Sequence, residues 1–587
     1  MYIENISGPA DLKKLTMEQC KDLAAEIREL LLSRASQIGG HVGSNLGMVE
    51  ATIALHYVFN SPVDKFVFDV SHQSYTHKIL TGRKYGFMDS ARYSEVSGYT
   101  NPEESEHDLF QVGHTATSIS LASGLAKARD IRGTKENIIA VIGDGSMSGG
   151  EALEGLDFSA SELKSNFIVL FNDNGMSIAD NHGGIYKNFH DLKNKDGNAD
   201  DNMFKALGYE YIFVKDGNDV ESMIEVFKKV KDTDHPVVIH MSTIKGKGYE
   251  PAEKDKESWH WRKPFNLETG ELKSDFNGER YDRVMRDHLL EKMAEDSEVV
   301  TMIAAVPDSL NFTAEHRKKA GKQFVDVGIA EEHAVAMAAG LAKNGCKPVF
   351  ATMSTFFQRT YDQISQELCI NNCPATLLVI NASVYSVNDV THIGIFDIPM
   401  MSNIPNLVYL APTNKQEYLA MVDWSIDQKD HPVAIRAPRN GVFYAEGDVD
   451  KDYSELNKYK VSKSGECIAV LALGDFFQMG EELVKSIEET FGITATLINP
   501  RYITGVDTEL LSKLEENHDL IITLEDGVVE GGWGQKIASF YGPSDIKVMN
   551  YGLRKEFIDR YNLNEVMEKN HLRVDLIIED VKNLKMF

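Results

Sequence analysis

The chain has 587 residues, 61 basic and 89 acidic, and a formal net charge of −28. That is more chain than one hydrophobic core organises, so several domains are expected. The acidic balance disfavours nucleic acid as a partner, and no apolar run is long enough to span a bilayer. The N-terminus is polar, without the basic start, apolar stretch and small-residue cleavage site of a secretory signal. The cytoplasm is the expected compartment. Cys20, Cys346, Cys369, Cys373 and Cys467 are few and odd in number, which argues against a disulfide framework. Cys369 and Cys373 have no histidine nearby and read as core packing rather than a metal site.

In chain order, residues 15–36 place apolar side chains at helical spacing and stop before Gly39-Gly40. Short apolar runs at 137–142, 166–171 and 236–241 read as buried parallel strands, with helical patterns between them. The alternation restarts after Arg280, with strands expected at 298–305, 348–352, 374–380 and 407–411. It restarts again after Lys460, at 467–473, 494–498 and 520–525. The polar, turn-rich stretches 259–282 and 445–460 suit linkers. The expected fold is therefore α/β: three doubly wound domains with mainly parallel sheets, spanning 1–280, 281–457 and 458–587.

The strongest local signal is Val141-Ile-Gly143-Asp144-Gly145, followed by Asn172-Asp-Asn174-Gly-Met176. Each follows an apolar strand, and strand carboxyl ends line the ligand crevice of a parallel sheet. Mg²⁺ prefers hard oxygen ligands and is often shared with phosphate. Asp144 offers a carboxylate, Asn174 an amide oxygen and Met176 a backbone carbonyl. Gly143 and Gly145 let the backbone approach closely, and a helix beginning near Gly150 would turn its N-terminus toward the anion. A lone Gly-Asp-Gly is a common turn; the paired asparagine segment makes the metal–diphosphate reading the stronger one.

Around this motif the sequence resembles the 1-deoxy-D-xylulose-5-phosphate synthases, within the transketolase-like group of thiamine-diphosphate enzymes. The residues carrying the resemblance run nearly end to end. They include the segments 41–47 (HVGSNLG), 69–83 (DVSHQSYTHKILTGR), 112–120 (VGHTATSIS), 247–253 (KGYEPAE), 328–333 (GIAEEH), 354–359 (STFFQR), Thr391-His392 and 499–501 (NPR). The resemblance implies thiamine diphosphate and Mg²⁺ as cofactors, a homodimer, and a place in isoprenoid biosynthesis. It also implies a 2-oxo donor such as pyruvate and an aldehyde acceptor, phosphorylated in that family. The cofactor does the carbanion chemistry while the protein sets geometry and proton traffic.

It further implies roles for particular residues. Glu331 matches the glutamate that hydrogen-bonds the aminopyrimidine ring, with Glu332 as the alternative should the match slip by one. Phe356 matches the aromatic stacked on that ring. His72, Gly113, His114, Thr115, Thr117 and Ser118 resemble the segments beside the diphosphate and thiazolium, Ser71 standing where the family has glycine. Lys247 lies in a matching cofactor segment. His41, His260 and His392 match positions facing the C2 adduct, where imidazole suits proton transfer. His77 is a further candidate on the substrate side, with a structural role as its alternative. Arg359 and Arg439 are the retained substrate-side arginines.

The departures gather at the substrate end. Asn381 replaces one of two arginines expected on the sugar phosphate. Met353 replaces a tyrosine, Pro102 or Glu103 an arginine, and Asn388 an aspartate with Asp389 beside it. The segment 188–202 is shorter than the family's. Arginine grips phosphate with a planar fork that asparagine lacks, so weakened use of glyceraldehyde 3-phosphate is expected. Three readings follow: a synthase joining pyruvate to glyceraldehyde 3-phosphate with loss of CO₂; a transketolase or acyloin synthase with another donor or acceptor; or a non-catalytic cofactor binder, against which Glu331 and the histidines speak.

Overall fold

In the computed structural model, residues 1–274 and 278–587 are described; residues 275–277 of the expected linker 259–282 lie outside them. The chain forms two compact units, Met1–Asn277 with Gly328–Ala330, and Gly278–Val327 with Glu331–Phe587. Among the described residues, no helix is long and apolar enough to cross a membrane.

The first unit holds β1 (Gly40–His41), β2 (Lys65–Phe68), β3 (Ile138–Gly143), β4 (Phe167–Asp173), β5 (Glu210–Val214), β6 (Pro236–Ser242) and β7 (Trp261–Arg262). Strands β2 to β6 make one parallel sheet in the order β2-β3-β4-β6-β5. Both faces are covered. Ile139 and Val141 enter one core cluster, with helix Met17–Ile38, while Ile138, Ala140 and Ile142 enter another. Two buried faces explain why these strands read as unbroken apolar runs rather than alternating ones. Helix Met17–Ile38 begins with a capping box between Thr16 and Gln19 and ends at Gly39, whose φ of 78° a side chain would strain.

The second unit contains two sheets. The first is wholly parallel: β8 (Val299–Ile303), β9 (Phe324–Asp326), β10 (Lys347–Met353), β11 (Thr376–Ile380), β12 (Val408–Leu410) and β13 (Val433–Arg436), in the order β12-β13-β11-β10-β8-β9. The other comprises β14 (Lys460–Lys463), β15 (Cys467–Ala472), β16 (Thr496–Asn499), β17 (His518–Val528) and β18 (Lys547–Leu553), in the order β14-β16-β15-β17-β18. Only its edge strand β14 is antiparallel. A buried ion cluster ties the sheets together: Arg436 Nε donates to Asp397 at 2.8 Å, its Nη1 pairs with Asp526, and the Tyr409 hydroxyl meets Asp397. Cys369 and Cys373 are buried in the apolar core.

Every strand expected from apolar runs is present within a few residues. The sequence reading passed over the two-residue strands β1 and β7, and also β2, β5, β13, β14 and β18. Strands β5, β14 and β18 lie at sheet edges and are partly exposed, so their apolar signal is diluted. The stretch 259–274 is more than a linker, because it contributes β7.

Candidate active site

The site residues divide between the two units, and each set is described by itself. In the first unit, β1 and β7 pair antiparallel, with His41 opposite Trp261. That register brings His260 to His41, their ring centroids 5.6 Å apart; His72 completes the cluster at 5.0 Å from His41 and 5.2 Å from His260. Asn45 fixes the arrangement. Its Nδ2 donates to the carbonyls of His41 (2.8 Å) and His72 (2.7 Å), and its Oδ1 accepts from the Tyr75 amide. Burial first, then the charges of Lys245, His72 and His41, hold the His260 pKa well below the usual imidazole value. His260 is thus a neutral imidazole near pH 7.

Segment 112–118 is organised by Asp69, a fully buried carboxylate at the end of β2. It accepts from the amides of Ala116 (2.9 Å) and Ser118 (3.0 Å), fixing the loop with Gly113, His114, Thr115 and Thr117 ahead of helix Ser118–Arg132. Ser71 has φ of 64°, a conformation that costs a non-glycine residue energy. Its hydroxyl offsets the strain by donating to the Val112 carbonyl and accepting from the Thr100 amide.

At the carboxyl ends of β3 and β4, Asp144 is 2 % exposed. Burial, then the neighbouring Asp173 charge, push its carboxyl up to about 7. Gly145 is closely covered, since a Cβ there would meet Ser177 at 3.0 Å. The amide reaching the Asp144 carboxylate is that of Asn181, at 2.9 Å; Asn174 Oδ1 instead accepts from the Met176 amide at 3.1 Å. Lys245, just past β6, is 2 % exposed and donates to the Ser177 carbonyl at 2.6 Å. Burial lowers its pKa to about 8, opposed by the Asp144 charge.

In the second unit, Glu331 opens helix Glu331–Lys343 and is 4 % exposed. Burial raises its carboxyl to about 7, and Arg359, with Nη1 at 3.9 Å from Oε2, only partly opposes this. Oε2 is buried with no hydrogen-bond partner among the described residues. Phe356 lies edge-on to His392, centroids 5.7 Å apart. Asp389 Oδ1 sits 3.5 Å from His392 Nδ1 and accepts from the Thr391 hydroxyl at 2.5 Å. Burial raises the Asp389 pKa, but bonds from His392 and Thr391 outweigh it and hold the carboxyl low. Asn388 turns away to the Tyr561 backbone, so Asp389 is the carboxylate at this histidine.

A profile described as 1-deoxy-D-xylulose-5-phosphate synthase matches residues 3–199 and 190–243. Profiles for the transketolase pyrimidine-binding and C-terminal domains match 280–443 and 457–571. The chain is 39% identical to the 1-deoxy-D-xylulose-5-phosphate synthase of Alkaliphilus oremlandii, over 99% of both chains. It is 37% identical to that of Lachnoclostridium phytofermentans over 99% of this chain and 98% of the other. The synthase of Caldanaerobacter subterraneus subsp. tengcongensis is likewise 37% identical, over 99% and 100%. The chain belongs to the 1-deoxy-D-xylulose-5-phosphate synthase family. Membership gives it a transketolase-like α/β fold and places it among the thiamine-diphosphate-dependent transferases.

Against that family's pattern, two expected positions lie elsewhere. Lys247 is half-buried, its carbonyl held by Arg28 Nε at 3.1 Å; the enclosed lysine is Lys245, two residues earlier. A lysine three residues past the apolar strand β6 and followed by Gly246 and Gly248 was the signal for it. His77 is wholly buried, bonded to Asp108 at 2.8 Å and to His56 at 2.9 Å, with Arg83 on the same aspartate. Burial lowers its pKa to about 4, despite Asp108. This is the placement of a structural histidine, the alternative role given for His77 in the sequence reading. Asn181 was also missed, because nothing in its polar turn marks it.

A small pocket of ≈120 Å³ opens in the second unit between the ends of β11 and β13. Asn381 and Arg439 line it, together with Arg280, Asp282, Tyr281 and Tyr418. Asn381 takes φ of 55°, and its carbonyl accepts from the Ser386 hydroxyl at 2.5 Å.

Proposed function

We propose that the chain condenses pyruvate with glyceraldehyde 3-phosphate, releasing CO₂ and forming 1-deoxy-D-xylulose 5-phosphate. The observation carrying this reading is end-to-end membership of the synthase family, with Glu331 buried and one carboxyl oxygen without a hydrogen-bond partner among the described residues. When bound, thiamine diphosphate supplies a nucleophilic carbon at C2 of its thiazolium ring.

The residues present suit that group. Asp144, with Asn174 and the Met176 carbonyl, would hold Mg²⁺ against the diphosphate. A carboxylate so enclosed that its pKa rises to about 7 is relieved by a divalent cation. Lys245 adds a buried positive charge beside it. Oε2 of Glu331 would bond the aminopyrimidine ring and share a proton with it, a carboxyl with a pKa of about 7 being suited to both directions. Phe356 would pack on the ring. His41 and the neutral His260 would accept or return protons at the reacting carbons, as would His392, backed by Asp389. The proposal extends to the three-domain division, a homodimer and a cytoplasmic location.

Mass spectrometry of pyruvate and glyceraldehyde 3-phosphate incubated with protein, thiamine diphosphate and Mg²⁺ tests the reading. One pentulose 5-phosphate with the mass of the deoxy sugar is expected per CO₂ released. Use of ketose phosphates as donors, with pyruvate ignored, would reassign the chain to transketolase chemistry.

A further inference from the structure

Resting on that reading, the pocket between β11 and β13 permits a sharper assignment. The sequence leaves one retained phosphate arginine, Arg439, and puts asparagine at the other position. An amide at Asn381 brings no charge, and its side chain is short. Yet the pocket is not short of cations, because Arg280 also lines it. Arg280 immediately precedes helix Tyr281–Glu295. Its Nε and Nη2 hold Asp282 at 3.0 and 2.5 Å, a fork that fixes the guanidinium plane.

We propose that Arg280 is a specificity-determining ligand of the acceptor's phosphate, taking the place of the arginine that Asn381 replaces. Four observations support it. The Arg439 guanidinium makes no hydrogen bond or ion pair among the described residues, only its backbone amide being engaged, with Asp475. Its pKa is lowered, by desolvation first and then by the Arg280 charge, so the two cations face one space. Tyr281, 8 % exposed, also lines the pocket, and its buried hydroxyl lacks a well-formed hydrogen bond. Finally, the first turn of a 15-residue helix lies at the pocket, where the helix dipole favours an anion, with its Arg283 amide already held by Asp282. Burial pushes the Asp475 carboxyl at the Arg439 amide up to about 7, so that it is only partly charged. Among the lining residues, two guanidinium groups against one carboxylate leave a net positive charge, suited to a phosphate monoester dianion. Asp282 keeps the paired arginines tolerable in its absence and orients Arg280 for a planar contact.

The alternative is that Arg280 only clamps the helix start through Asp282. Kinetics with D-glyceraldehyde 3-phosphate and with unphosphorylated D-glyceraldehyde separate the two. In Arg280→Ala, the ratio of kcat/KM for the phosphorylated over the plain acceptor should fall about tenfold to a hundredfold, the size of one lost charge-assisted contact. Arg280→Lys should restore part of it. An equal loss with both acceptors, or none, overturns the assignment. A second measurement is independent of turnover: inorganic phosphate should raise the thermal unfolding midpoint of the wild type and do so markedly less in Arg280→Ala. If wild type ignores glyceraldehyde 3-phosphate but shows this phosphate difference, the pocket assignment stands and the proposed acceptor falls. If wild type makes the product while both ratio and phosphate shift survive in Arg280→Ala, the acceptor stands and Arg280 is only a clamp.

Discussion

Replacing Glu331 by glutamine should make the apoprotein more stable at pH 8 while slowing the reaction it serves. The carboxyl is 4 % exposed, and burial raises its pKa from 4.5 to about 7. Below pH 4.5 it is protonated whether the chain is folded or not, and costs nothing. Between there and pH 7 the unfolded chain releases the proton while the folded chain keeps it, so stability falls as pH rises. Above pH 7 both states are ionised and the penalty levels off at about 3 kcal/mol, at about 1.4 kcal/mol per pH unit. Glutamine is isosteric and never ionises, so Glu331→Gln should escape that penalty. Denaturant unfolding of both apoproteins at pH 5, 6, 7 and 8 should give an advantage for the variant that is small at pH 5, grows to pH 7 and is flat beyond. With thiamine diphosphate and Mg²⁺ added, hydrogen–deuterium exchange at C2 should be slower in the variant by orders of magnitude. A pH-independent advantage, or a variant less stable at pH 8, would refute the buried-carboxyl reasoning; wild-type exchange would remove the catalytic role.

Asp144→Ala should abolish Mg²⁺-dependent thiamine diphosphate binding in calorimetry; unchanged affinity would remove Asp144 from the metal site. Asp397→Ala should cost about 3–5 kcal/mol in denaturant unfolding of the second unit's transition, because Arg436 loses one of two buried carboxylates; a change below about 1 kcal/mol would show that Asp526 alone suffices. Sedimentation should give a dimer of 65.6 kDa protomers, and a fully active monomer would contradict that expectation.

By itself the sequence determined the layered α/β class and most interior strands. A strand buried on both faces must be apolar throughout, and Ile139–Ile142 and Leu377–Ile380 carry that mark in one dimension. It also singled out Asp144 as a candidate by its motif after a strand, and Glu331 and His392 as candidates through the family resemblance. Tertiary structure alone decided which polar residues share an enclosure. His260 reaches His41 through a two-residue strand pairing across more than two hundred positions, and no local pattern encodes such a partner. Lys245 and Lys247 differ only in which side of one turn is covered. Arg280 looked like linker until the ends of β11 and β13 closed a pocket around it. Burial and charge proximity are sums over distant segments, so the pKa values that tune Asp144, His260 and Glu331 exist only once the chain has folded.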